Sequence, residues 1–110
     1  MAIFKTGLVK KIINDVEVKT SESVVVEHHE YTTNGESTIV TRNIDSCYIR
    51  LNSKTTDVVT IKSMTQTIIV GDKLIDEEYD EIELQKFASI ELRYIKNYWY
   101  IVSSDGLKNS

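Results

Sequence analysis

Side chains of types that can do chemistry fall into four groups here: the pair His28-His29, the carboxylates between Asp72 and Glu83, Cys47, and the aromatics Tyr94, Tyr98, Trp99 and Tyr100. Two adjacent imidazoles suggest a metal site, but neighbours along a flat strand point to opposite faces and cannot close on one ion. The i, i+2 pairs Glu27/His29 and His28/Glu30 do share a face. Neither supplies the third protein ligand that such sites need, although a threefold axis could gather copies of one histidine. The histidines therefore read as surface residues. The run Asp72–Glu83 carries seven carboxylates, Asp72, Asp76, Glu77, Glu78, Asp80, Glu81 and Glu83. Calcium would be their natural ligand, yet the Asp-x-Asp-x-Asp-Gly order and its turn glycine are missing, so a solvated acidic loop is expected.

Cys47 alternates with Ile49 and Leu51 and reads as a small buried hydrophobe. Pairing it with His28 or His29 as nucleophile and base would require a rigid pocket that nothing in the sequence indicates. Being the single cysteine of the chain, it permits no internal disulfide. Tyr94 and Trp99 fall on one face of a predicted hairpin and belong to a core. Tyr98 and Tyr100 are left as surface contacts, where they could stack on a sugar. No triad, metal-ligand spacing or phosphate loop is found, so no catalysis and no cofactor is expected.

The elements that would position these groups are strands. A chain of 110 residues with 41% hydrophobic and 27% charged residues makes one ordinary domain. Val, Ile, Thr and Tyr recur, proline is absent, and the glycines Gly7, Gly35, Gly71 and Gly106 are scattered as turn punctuation. The net charge of −4 is carried by residues 56–110. The lack of a basic stripe disfavours nucleic acid. No apolar run is long enough to span a bilayer or to serve as a signal peptide, and a cytoplasmic origin is expected.

Residues 3–19 fit two short strands turning at Asn14-Asp15, with a helix over 8–16 as the alternative. Asn34-Gly35 between β-prone runs predicts a hairpin with Tyr31 opposite Thr38, His29 opposite Val40 and Glu27 opposite Arg42. Neither face of that ribbon is cleanly apolar, so it should project into solvent or be covered by another chain. Strands are expected over Val58–Ile61 and Thr67–Val70, with a turn at Gly71-Asp72. The clearest element joins 89–95 to 98–103 through Lys96-Asn97. It places Tyr94 opposite Trp99, Leu92 opposite Ile101 and Ile90 opposite Ser103, and its apolar residues then share one face.

The stretch IDEEYDEIEL (75–84), followed by SIELRY (89–94) and YWYIVSSDG (98–106), resembles the C-terminal β-modules of tailed-bacteriophage structural proteins, found in capsid-decoration, head-fibre and tail-fibre chains. The shared cadence is I-D-x-x-x-D-x-I-x-L, then W-Y-I-x-S-S-x-G near the terminus. The resemblance covers residues 47–106, and Lys96-Asn97 departs from it where a turn glycine is common. Nothing in residues 1–46 shares it.

It implies a virion structural protein, made in the host cytoplasm, that assembles as a homotrimer and meets other virion proteins such as major capsid or tail proteins. Capsid decoration or head fibre comes first, and a tail-associated fibre or receptor-binding module second. The expected fold class is all-β, with antiparallel hairpins forming a small sandwich, barrel or β-prism-like module completed by oligomerisation. Residues 1–45 would be a docking or interchain arm and residues 46–110 the C-terminal module. No nucleic acid or membrane partner is expected. A stand-alone carbohydrate- or peptide-binding β-domain is the alternative of another class. The surface contacts expected in any of these roles are Tyr98, Tyr100, His28 and His29.

Overall fold

Short runs in which every second residue is aliphatic or β-branched recur between polar corners, and each run becomes a strand because alternation buries one face and solvates the other. The computed structural model describes residues 22–106. Within them lie β1 (Ser23–Val26), β2 (Glu30–Thr32), β3 (Thr38–Thr41), β4 (Ser46–Arg50) and β5 (Val58–Ser63). They continue with β6 (Gln66–Ile75), β7 (Tyr79–Leu84), β8 (Ser89–Ile95) and β9 (Tyr98–Asp105). There is no helix among them.

The chain winds as a two-faced β-solenoid. β1, β3 and β5 stack in parallel on one face, with Val24 beside Ile39 and Ile39 beside Ile61. β2, β4 and β6 stack in parallel on the other, with Tyr31 beside Ile49 and Ile49 beside Ile69. Stacking equivalent inward residues gives a continuous core that no single coil could bury alone. Val26, Ile39, Cys47, Ile49, Ile61 and Ile69 are all buried. Each fully buried aliphatic side chain of this size contributes about 1.5–3 kcal/mol relative to exposure.

Antiparallel pairing closes the stack after β6. The chain reverses at Asp76–Glu78 and β7 pairs with β6, Ile82 lying opposite Ile69. β8 pairs with β5, Ile90 opposite Ile61 and Leu92 opposite Val59. β9 returns along β8 and meets β6 where Trp99 lies beside Ile75. Trp99 is fully buried and packs 5.3 Å from the Tyr94 ring centroid.

Buried hydroxyls knit the two faces. Thr41 on β3 and Thr67 on β6 are both buried, and their Oγ1 atoms are 2.7 Å apart. Thr67 Oγ1 donates to the Thr65 carbonyl, so Thr41 is the donor of the pair. Ser63 donates to the carbonyls of Gln85 and Ala88. Buried polar groups satisfied in this way avoid the penalty of an orphaned donor.

The all-β class and the terminal hairpin are as the sequence predicts, while the antiparallel architecture is not general: the first six strands stack in parallel. Asn34-Gly35 is no hairpin turn. It forms the corner between β2 and β3, and the strand that pairs with β3 is β1, in parallel. The physical reason is burial. The hairpin register has no apolar face, whereas the parallel one sets Val24 and Val26 against Ile39 and Thr41. The expected contact between Glu27 and Arg42 still forms, at 2.8 Å, because the parallel register carried one residue beyond Val26 and Thr41 makes the same pair.

Gly71-Asp72 is also no turn. β6 runs through it with an irregular register between Val70 and Ile75, and a Cβ on Gly71 would lie 2.3 Å from the Lys73 carbonyl oxygen. In the terminal hairpin the register shifts between Ile101 and Ser103, so Ile90 faces Ser104 in place of Ser103. The elements expected over residues 3–19 lie outside the described residues. Residues 22–45, within the expected arm, supply β1 and β3 to the same sheet and Val26 and Ile39 to the same core.

Candidate functional site

The polar surface groups are distributed over several places, and among the described residues no three His, Cys, Asp or Glu side chains gather closely enough to hold a metal ion. His28 and His29 lie exposed in the bend between β1 and β2. The His29 carbonyl accepts from Tyr48 N–H at 2.7 Å, so this corner is fixed by backbone pairing. Glu27 beside it accepts from Arg42 and Asn43, bonds that hold its carboxyl below the usual range. Tyr98 and Tyr100 lie at the opposite, closed end. Their rings meet edge to face with centroids 6.2 Å apart, and Tyr100 donates to Glu77 at 2.6 Å. That bond and burial push the Tyr100 phenol up to about 12. The structure therefore separates the two expected contact pairs.

Cys47 is buried, and burial pushes its thiol up to about 11, which leaves little thiolate at neutral pH. Asp72, read from sequence as part of an acidic loop, has a defined task. Its Oδ1 accepts from Trp99 Nε1 at 2.8 Å, and its Oδ2 accepts from Ser53 N–H at 2.9 Å and Ser53 Oγ at 2.8 Å. Burial alone would raise its pKa, but these bonds outweigh burial and hold it below the ordinary value. Asp76 accepts from Ile101 N–H at 3.0 Å. Beside Asp72 is an outward cleft of about 250 Å³ lined by Thr32, Arg50, Leu51, Asn52, Val70 and Gly71. Arg50 spans to Glu30 at 3.3 Å on the same face.

The most distinctive surface is made of backbone. Among the described residues β1 and β2 lie at the two ends of the main path of paired strands. The Glu22 carbonyl accepts from the Ser37 and Thr38 amides and the Val26 carbonyl from the Arg42 amide, at the two ends of β3, so alternation turns the N–H and C=O of Ser23 and Val25 away from the sheet. On β2, the His29 carbonyl and the Thr33 N–H bond to β4, which leaves Glu30 and Thr32 facing outward. β7, which ends the sheet beyond β6, is different. It carries Asp80, Glu81 and Glu83, all exposed, and charge along an edge discourages strand addition. β1, Ser-Val-Val-Val, carries no charge.

Sequence reasoning missed this edge because it paired the run beginning at Ser23 with the run ending at Arg42. The signal that could have found it is the repeated inward dyad: Val24 and Val26, Ile39 and Thr41, Cys47 and Ile49, Ile61 and Ser63, Thr67 and Ile69. No protein-family model matches this chain, and no curated protein matches it either.

Proposed function

We propose that this protein is an assembly module that joins a larger particle by strand addition at β1 and β2, and that it does no catalysis. The observation that carries this reading is the contrast between its sheet ends. The β1 strand is uncharged and β-branched, with outward backbone groups that have no partner among the described residues, whereas β7 is blunted by carboxylates. A regular stack with an unblunted end adds further strands there, since main-chain bonds supply the affinity and alternate side chains the specificity.

The resemblance of residues 47–106 supplies the particle: a tailed-phage virion, with capsid decoration or head fibre ahead of a tail-associated role and a trimer as the working form. Binding only to assembled protein would stabilise the shell by mass action. Virions purified from cells carrying this gene are expected to contain the chain by mass spectrometry. Its absence from them would remove the phage assignment.

A second reading rests on the edge-to-face pair Tyr98 and Tyr100 beside Glu77, which would suit a stand-alone carbohydrate- or peptide-binding domain. Glycan-array binding by a monomer, abolished by Tyr98→Ala with Tyr100→Ala, would favour it.

A further inference from the structure

The corner between β2 and β3 has a covalent chemistry of its own. Gly35 has φ +92°, a conformation that side chains other than glycine rarely adopt, and a Cβ there would touch the Thr55 carbonyl at 3.4 Å. The corner therefore demands glycine directly after the exposed Asn34. An Asn-Gly pair is open to ring closure. The Gly35 backbone nitrogen loses its proton to hydroxide and attacks the Asn34 side-chain carbonyl carbon. The bond to the side-chain nitrogen then breaks and ammonia leaves. Water opens the resulting succinimide at either carbonyl, giving aspartate or isoaspartate, so one water is consumed for each ammonia released.

In the folded protein the nucleophile is held. Gly35 N–H donates to Thr56 Oγ1 at 2.8 Å, and Thr56 is buried. The Asn34 N–H donates to Glu36 Oε1 at 2.8 Å, while Tyr31 OH donates to the other oxygen of that carboxylate. Glu36 is itself 5% exposed. A buried carboxylate beside the corner opposes the negative charge that would form on Gly35 nitrogen. Two further bonds hold the corner to the loop between β4 and β5, Asn52 N–H to Thr33 Oγ1 and Thr55 Oγ1 to the Thr33 carbonyl, and a third, Thr60 N–H to the Ser37 carbonyl, ties it to β5.

We infer that Asn34 is a latent deamidation site, latched by the Thr56 hydroxyl and released when the corner opens. Conversion to isoaspartate would insert a methylene into the backbone of the corner and add a charge there, marking molecules in which the first coils have come loose.

The test is residue-resolved peptide mapping of the full chain held at mildly alkaline pH, with circular dichroism to confirm the fold. Wild type is expected to deamidate at Asn34 at least about tenfold more slowly than the same chain in denaturant, the factor of roughly one lost hydrogen bond or more. Thr56→Val is expected to be roughly tenfold faster than folded wild type on the same ground. Thr56→Ser, which keeps the hydroxyl, should stay near the wild-type rate, and Asn34→Ser should show no mass gain at this peptide. Equal rates for folded and denatured wild type would overturn the inference. So would a folded Thr56→Val protein no faster than wild type. Should Thr56→Val fail to fold, the folded-against-denatured comparison and the Thr56→Ser rate decide alone.

Discussion

Thr67 accepts the Thr41 hydroxyl while giving its own proton to the Thr65 carbonyl, so the two threonines are not equivalent although both are buried. Thr67→Val strands the Thr41 donor without an acceptor and is expected to cost about 1–3 kcal/mol in urea unfolding. Thr41→Val leaves Thr67 still bonded to Thr65 and should cost clearly less. Equal losses would show that the proton order is otherwise. Asp72 makes a second prediction at this scale. Its folded pKa lies below the ordinary value, so its stabilising effect is complete above the unfolded carboxylate range and fades as pH falls through the folded value. The stability gap between wild type and Asp72→Asn is expected to be widest near neutral pH and to narrow in acid, followed by Trp99 fluorescence. A gap that does not change with pH would contradict this.

Among the elements, the β8–β9 hairpin was the most legible in the sequence, and the reason is locality. Its turn, its alternation and its aromatic pair all lie within adjacent residues, and Tyr94 opposite Trp99 follows from all three. Lys96 and Asn97 take φ values of 48° and 79°, the left-handed region that a two-residue turn requires. Introducing Lys96→Asn with Asn97→Gly should therefore stabilise the protein by about 1 kcal/mol by relieving that conformation. Thermal unfolding would measure the gain, and no gain would mean that the turn is not under this strain.

The parallel stacks were not legible, because their partners are distant and unevenly spaced. Ser23, Thr38 and Thr60 are successive partners on one face, 15 and 22 residues apart. Glu30, Tyr48 and Ile68 are partners on the other, 18 and 20 apart. Unequal coils leave no fixed period to detect. In that gap the local Asn-Gly signal pointed to a hairpin that burial does not favour. The surface contacts divide in the same way: exposure of His28 and His29 could be read from their polar ribbon, whereas the backbone edge beside them has no side-chain signature.

At the scale of the molecule, the carboxylates along β7 discourage strands from adding at that edge, whereas β1 carries no charge. The proposed assembly therefore makes its clearest demand on the amides that point outward from β1 and β2. Hydrogen exchange read residue by residue, at two well-separated protein concentrations, measures this directly. The Val25 and Thr32 amides are expected to gain protection as concentration rises, while Val24, bonded within the β1–β3 ladder, stays protected throughout. Val25 and Thr32 amides that exchange freely at every concentration, or that remain equally protected on dilution, would contradict docking of another chain at this edge.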